Sequence, residues 1–399
     1  MIAVSYNQKA DHLYGYASDV VVAELNRVSY PYVFRSEVTR VISESKGAPR
    51  LWMTWTFLSI LWKYDIWVAF FSGKFFNKSA FDRYEAPLLK LAGIRIVTVP
   101  YGSDVTMFNG LQSRFDWLGR LWQDKAFYYQ DQEAHNAKVK SQIAHFNHWA
   151  DFTIAGDHSL APFLPKYDLN FKYFPIDCDA WKPLYETGNA VPLIVHAPNH
   201  RHVKGTDVLL QACERLKQQG LKFDLQLVER VPRNQVQEIY RQADIIAEQF
   251  IIGVYGLTAL EGLALGKPVL TYLSEEHLQN PVFNLPLVNT HPDNIEEVLK
   301  ALILLPQLRK RLGLAGRESV ERYQSCEAVG EVWDQIYRHL WFGEPLRLET
   351  TCIFSPQRKS RPLCEDPRQP EFWPVDVKDL LKDICAALDI QSLKGSEVY

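Results

Sequence analysis

Residues 248–270 read EQFIIGVYGLTALEGLALGKPVL and bring together the parts of an anion site. The apolar run QFII closes a buried strand. Gly253 and Gly256 bracket Tyr255 in a tight turn. A helix starts at Leu257, because Leu257, Leu260 and the Leu263–Ala264 pair recur at three- and four-residue spacing. Gly266 stands where a C-cap glycine belongs, Pro268 blocks continuation, and Val269–Leu270 open the next strand. A strand–turn–helix of this kind presents free N–H groups and the positive end of a helix dipole at the carboxyl edge of a parallel sheet. Leu257 and Thr258 supply the first amides, and a phosphate binds well there. Glu261 lies about one turn into the helix. A carboxylate at that place repels phosphate but suits the paired hydroxyls of a ribose. The bland alternative is a βαβ turn whose glycines only permit close packing.

Other residues weigh on that choice. Arg201 and Lys204 stand in APNHRHVKGT, a loop after the first strand of the second half, on the same sheet edge. Together they suit a diphosphate, the arginine adding a planar fork. In the first half, Tyr101-Gly102-Ser103-Asp104 closes a β-branched strand. Ligands of open α/β sheets bind at such carboxyl ends, so Asp104 is a candidate functional carboxylate; its structural alternative is a helix N-cap. His135, His145 and His148 share a long helical region, yet no carboxylate or thiolate accompanies them at ligand spacing, so no metal site is expected.

The elements that must position these residues alternate. Strand Ile66–Phe71, helix Tyr84–Ala92, strand Ile94–Pro100, a helical region Trp117–Trp149, strand Asp151–Gly156 and helix His158–Leu164 make up the clearer part of the first half. Before it, Asp19–Val28 reads as a helix, and IAVSY and SYPYVF as strands. Tyr185–Val191, with Gly188 and Asn189, reads as a linker. The second half runs strand Leu193–His196, helix Asp207–Gln219, strand Phe223–Val228, helix Asn234–Ala243 and strand Ile245–Ala247 into the opening stretch. Helices Asn294–Leu305 and Gln307–Tyr323 follow, and Val375–Leu388 reads as a last helix. Alternating βα units imply parallel sheets covered on both faces.

Bulk properties bound the rest. With 399 residues, two domains are the default. Hydrophobic residues at 47% and charged residues at 23% give an ordinary globular composition. A net charge of −3 argues against nucleic acid as a partner. Six scattered cysteines without a CxxC pair indicate a reducing compartment. The polar N-terminus is not a signal peptide. Leu51–Phe71 is long and aromatic enough to suggest a membrane span, but Lys63, Tyr64 and Asp65 interrupt it. A buried helix followed by a turn and a strand is expected, with an interfacial helix as the alternative. No GxGxxG occurs in either half, which disfavours a nicotinamide dehydrogenase.

The set HRHVKGTDVLLQACERL, FDLQLVERVP, IYRQADI and GVYGLTALEGLALGKPVL resembles the donor-binding domain of family 4 of the GT-B glycosyltransferases, the glycosyl transferases group 1. YDIWVAFF, LLKLAGIRIVTVPYGSDV, ADFTIAG and FPID resemble that family's acceptor-domain strands. The resemblance implies two Rossmann-like domains facing across a cleft. Residues 1–184 would form the acceptor side and 185–328 the nucleotide-sugar domain, with a crossover helix and tail over 329–399. Lys204 matches the family's diphosphate lysine and Arg201 its nearest arginine partner. Val231 resembles the backbone site that reads the base. Glu261 matches the second glutamate of the paired-glutamate motif. The first glutamate should stand where this chain has Gly253, and Glu248 is the upstream carboxylate that could replace it.

The expected function is therefore sugar transfer from a nucleotide-diphosphate sugar to an acceptor hydroxyl. The resemblance implies retention, no bound metal and no cofactor beyond the co-substrate. Asp104 and Glu248 are the candidate catalytic residues. Arg201, Lys204, Val231, Tyr255, Gly256, Leu257, Thr258 and Glu261 are the candidate donor-binding residues. The acceptor would be a glycan, a lipid or a small molecule, and the site of action cytoplasmic, with peripheral contact at the membrane face as an extension. Gly253 supports one rival, a catalytically silent GT-B protein acting as a scaffold. A sugar-nucleotide epimerase of the same architecture is the other.

Overall fold

The computed structural model describes residues 21–22, 40–41, 49–73, 76, 81–107, 117, 132–278, 285–347 and 353–354. The chain forms two compact units. One takes the chain up to Asp177 and the stretch beginning at Tyr323; the other takes Cys178–Gln279 and Asn284–Arg322.

In the first unit, strands β1 (Val21–Val22) and β2 (Arg40–Val41) pair in parallel. The helix expected over Asp19–Val28 is thus a strand at Val21–Val22, consistent with two β-branched residues. Strands β3 (Ile66–Phe70), β4 (Arg95–Val99) and β5 (Phe152–Thr153) form a second parallel sheet in that order. Helices α1 (Pro49–Lys63), α2 (Asp82–Leu91) and α3 (Gln132–Trp149) accompany it. Their inward residues Phe57, Leu89, Val139, Ile143 and Phe146 join Phe71 and Ile96 in one core. Among the described residues no helix is long and apolar enough to cross a membrane. The helix expected over His158–Leu164 is only a 3₁₀ turn, Ala161–Phe163. Pro162 has no N–H, and Asp157 takes the preceding turn's amides at Ser159 and Leu160.

Strand β6 (Leu169–Asn170) pairs with the later β12 (Ile353–Phe354). The expected strands at IAVSY and SYPYVF, residues 118–131 and the Val375–Leu388 helix lie outside the described residues.

The second unit is a five-stranded, all-parallel sheet. Its strands are β7 (Leu193–His196), β8 (Asp224–Leu227), β9 (Ile245–Gln249), β10 (Val269–Thr271) and β11 (Val288–Asn289). They lie in the order β11-β10-β9-β7-β8. Helices α4 (Arg201–Lys204), α5 (Thr206–Gln218), α6 (Arg233–Gln242), α7 (Leu257–Ala264), α8 (Glu275–Leu278), α9 (Ile295–Leu304) and α10 (Pro306–Tyr323) connect and cover them. The core unites Ile194, Ile245, Leu270 and Val288 from the strands with Leu209, Leu216, Leu299 and Leu302 from the helices.

Tyr185–Val191 does not hang free as a linker. Leu184 donates to the Leu265 carbonyl at 3.0 Å and accepts from the Lys267 ammonium. Asp244 holds the Thr187 hydroxyl and the Asn189 amide, each at 2.8 Å. Arg317 of α10 fixes the chain just upstream, donating to the carbonyls of Cys178 and Trp181. After Arg322 the chain re-enters the first unit, where α11 (Cys326–Phe342) places Val329, Val332, Trp333 and Ile336 against Val97, Phe152 and Phe171.

Candidate functional site

In the second unit, strand β7 leads out to β8 on one side, and β9 then pairs on its other side. The strand order thus reverses between β7 and β9, and the carboxyl ends of strands at such a reversal are where ligands bind in open parallel sheets. His196 closes β7, and Glu248–Gln249 close β9.

His196 is fully buried. Its Nδ1 lies 2.7 Å from the Ala247 carbonyl, which can only accept. Nδ1 therefore carries the proton, and Nε2 accepts the Thr206 hydroxyl at 2.8 Å. Burial pushes the imidazole down to about 4, so it stays neutral at physiological pH. The imidazole thus ties the two central strands to the first residue of α5.

The expected loop around Lys204 is one helical turn, Arg201–Lys204, closed by Gly205 at φ 73°. A side chain at Gly205 would also press on Phe250 and Ile251 at 3.0–3.1 Å. Phe250 N–H donates to the Lys204 carbonyl at 3.0 Å. These ties fix Lys204 over the end of β9. Its ammonium donates to Gln249 Oε1 at 2.7 Å and stands 3.7 Å from Glu248 Oε1. Burial lowers its pKa, and the Glu248 charge opposes that shift. Gln249 spends its own amide N–H on the Val254 carbonyl, which holds the turn before α7.

Glu248 is 1% exposed. Its Oε1 accepts the Gly256 N–H at 2.7 Å, and its Oε2 has no hydrogen-bond partner. Gly256 is the N-cap of α7 with an ordinary extended backbone, φ −111°. Glycine is needed there for space, since a Cβ would meet Glu248 Oε1 at 2.8 Å. Leu257 and Thr258 follow as the first helical residues, and both are half-buried.

Glu261 is buried, one turn further on. The Tyr240 hydroxyl, from α6, bonds to the Thr258 side chain and feels the charges of Glu261 and Glu248. Burial first, then those charges, raise its pKa. Tyr255 is buried edge-on against His277, with ring centroids 5.4 Å apart. Gly253 is buried too, and its carbonyl accepts from Ser274 at 2.9 Å.

Arg201 stands apart from this group. It is half-exposed and forks onto Glu229 at 2.8 and 2.5 Å. Val231, half-buried, follows Arg230, which adopts the left-handed conformation at φ 57°.

The structure therefore gathers Lys204, Glu248, Gly256, Leu257 and Thr258 at one sheet edge, with Glu261 beneath. His196, Gln249, Thr206 and Tyr240 complete the site and escaped the sequence reading. Two of them carried a signal: a polar residue ends each of the apolar strands LIVH and IIAEQ. The arrangement offers an ammonium and helix-start amides to an anion, and carboxylates to hydroxyl donors. Among the described residues no three His, Cys, Asp or Glu side chains converge on a metal-holding position. His135, named above, meets the Thr106 carbonyl at 3.0 Å.

Asp104 belongs to the first unit and is 2% exposed. Its Oδ1 accepts Tyr101 and Gly102 N–H at 3.0 Å, and its Oδ2 accepts Phe71 N–H at 3.1 Å. It caps no helix; it clamps the ends of β3 and β4 together. Burial raises its pKa to about 7 against the pull of those amides. The folded state then binds the proton more tightly than the unfolded chain. The resulting stability is complete below about pH 4 and is lost as pH rises through about 7. In Asp104→Asn this contribution should vanish. Wild-type stability minus variant stability, read from urea unfolding, should fall between pH 4 and 7. The slope should stay under about 1.4 kcal/mol per pH unit, the limit for one proton. A flat difference would mean that Asp104 ionises normally.

No known family profile and no curated protein matches this chain. Solved structures do. A sucrose-phosphate synthase from Thermosynechococcus elongatus is 14% identical, covering 85% of this chain and 92% of its own, with a TM-score of 0.54. A glycosyltransferase from Rickettsia africae is also 14% identical, covering 86% and 95%, with a TM-score of 0.54. Anabaena HepE in complex with UDP and glucose is 12% identical, covering 84% and 95%, with a TM-score of 0.53. At such identities the likeness is one of fold. The chain has the GT-B-like architecture of two Rossmann-like domains, each with a parallel sheet flanked by helices.

Proposed function

We propose that this protein is a glycosyltransferase that takes a sugar from a nucleotide-diphosphate sugar and passes it to an acceptor hydroxyl. One observation carries the reading. At the strand-order reversal between β7 and β9, a largely buried lysine, the start of α7 and a buried glutamate one turn later stand together. An anion next to a diol is what those groups suit, and diphosphate next to ribose is such a pair. Lys204 and the Leu257 and Thr258 amides take the diphosphate as the leaving group gains charge. Glu261 takes the ribose hydroxyls, and the backbone at Val231 lies toward the base. Arg201 holds Glu229 through Nε and Nη2, so it would reach the phosphates through Nη1 or by releasing that fork. Transfer proceeds with retention and without a bound metal. The acceptor sits with the first unit, and Asp104 serves it by fixing the loop at Tyr101–Gly102.

A second reading, a catalytically silent scaffold, has Gly253 in its favour, since that position carries no carboxylate. Transfer by the purified protein separates the two.

The test concerns the ribose. HepE is described with UDP and glucose, which recommends UDP-glucose as the first donor tried. GDP-mannose is the parallel choice. Removing the 2′-hydroxyl should weaken binding about tenfold or more in the natural protein, the value of a hydrogen bond to a charged group. It should cost almost nothing in Glu261→Ala. An equal penalty in both proteins would take the ribose away from Glu261.

A further inference from the structure

We infer that helices α1 and α2 of the first unit lay an apolar face on the surface of a phospholipid bilayer. The inference does not depend on the donor site proposed above. On α1, Phe57 is buried in the core of the unit. Trp55 and Trp62 stand about two turns apart and so share one line of the helix. That line runs opposite Phe57, with Leu58 beside it. Trp55 is 67% exposed and Trp62 81%. Helix α2 repeats the arrangement. Its Leu89 faces the core, while Tyr84, Leu88 and Leu91 recur on the outer side, Leu91 at 85% exposure. Phe76 joins the two helices. Its ring lies 4.8 Å from Phe57 of α1 and 6.1 Å from Phe81, the residue that precedes α2.

The outer line of a surface helix is normally polar. One exposed leucine needs no explanation, but two apolar stripes joined through one aromatic cluster do. Their chemistry selects the partner. The six side chains fall well short of the ~20–30 residues a side of a stable protein interface. A bilayer needs only a few anchors, and tryptophan suits the boundary between headgroups and acyl chains. The exposed Lys63 and Arg83 flank the stripes, Lys63 at 4.9 Å over the Tyr64 ring and Arg83 at 4.8 Å over Tyr84. Their stems can lie along apolar surface while their charges reach lipid phosphates. Asp65 and Asp82 stand within two residues of them in the chain. The surface thus has no strong charge of its own, and apolar burial must carry the binding. Helix α1 lies on the bilayer and does not cross it. Its 15 residues span about 22 Å, short of the ~30 Å hydrocarbon core, and Phe57 holds its other side in the protein.

Flotation of the full chain with phosphatidylcholine–phosphatidylglycerol vesicles tests this. The natural protein should rise with the vesicles. It should still do so in ~1 M salt, because apolar burial, unlike charge attraction, is not screened. Release by salt would mean that charge alone holds the protein, and overturns the inference. Trp55→Ser combined with Trp62→Ser should lower the partition into vesicles about tenfold or more, since two large apolar side chains are withdrawn. Equal partition of the two proteins also overturns it. Without vesicles the melting temperature of the double variant should barely move, as for exposed positions. A large drop would mean that other segments of the chain cover the stripes. A dimer seen by light scattering and split by the double variant would mean that a second copy covers them. Either result overturns the inference.

A second measurement needs no variant. Bromine on the acyl chains quenches tryptophan emission at contact range. Emission of the natural protein should fall on vesicles with brominated chains relative to plain ones. The fall should be partial, because most of the 11 tryptophans lie outside α1. Unquenched emission overturns the assignment, and so does a natural protein that stays in solution with every vesicle.

Discussion

Lys204→Ala should weaken the binding of a nucleoside diphosphate about 10- to 150-fold, or about 1.5–3 kcal/mol. The ammonium is largely buried at the carboxyl end of β9, and burial already lowers its pKa. An anion beside it would regain what desolvation cost. A neutral alanine offers nothing in return. Arg201→Ala should do much less, because that guanidinium is half-exposed and already forked onto Glu229. The comparison of UDP with uridine isolates the phosphate term, since uridine lacks the charge. Equal losses for both would mean that the site had merely collapsed. Unchanged UDP affinity would remove Lys204 from the site. The fold should also weaken. A loop lysine would carry little packing, but this one stands 3.7 Å from the buried Glu248 carboxylate, which would lose its nearest cation.

Gly313→Ala should destabilise the second unit by about 3 kcal/mol, the upper part of the range for overpacking. Gly313 lies mid-helix in α10, where alanine is normally the better residue by ~1 kcal/mol. Here a Cβ would stand 2.0 Å from the Gly266 carbonyl oxygen and 2.8 Å from its carbon. Those are main-chain atoms at the turn that ends α7, and they cannot rotate away. The turn cannot yield easily, since Gly266 is at φ 71° with Tyr185 packed over it. Helix α10 would have to lift, and Gly316, whose own Cβ would meet Leu263 at 2.6 Å, would lose its close seat. For a unit of this size the melting temperature should drop by roughly 6–12 °C. A rise would show that α10 is free to shift and that propensity dominates.

The two substitutions probe one design from opposite ends. Lys204 and the start of α7 meet at the carboxyl edge of the sheet. Gly266 and Gly313 fix the far end of the same eight-residue helix. Arg317 adds to that anchor by donating to the Ala264 carbonyl at 2.7 Å. A ligand binding at the first turn therefore meets amides that are held from behind. Such preorganisation is what lets fixed dipoles act on a developing charge.

Much of the second unit was legible in the chain itself. Hydrophobic period and turn chemistry are local properties, so LIVH and IIAEQ read as strands and LTALEGLA as a helix ended by a glycine. The parallel sheet followed from the alternation of those elements, and the GT-B-like fold from the resemblance of the motifs. The turn and helix start proposed to take an anion were legible for the same reason: a glycine turn before a helix is written in consecutive residues. Pairings across the fold were not. Nothing near Arg201 in sequence shows that Glu229, 28 residues on, takes its guanidinium. Likewise nothing near Asp104 in sequence shows that its three amide donors include Phe71, which follows another strand, β3. The stretch Tyr185–Val191 has a linker's composition, yet Asp244 docks it at Thr187 and Asn189. Tyr240 reaches Thr258 from a different helix. The strand order itself, which sets β7 beside β9 and so brings Lys204 to Glu248, is a long-range choice. Sequence determined which segments could offer amides, cations and carboxylates. Only the tertiary structure decided which of those groups are already spent on the protein.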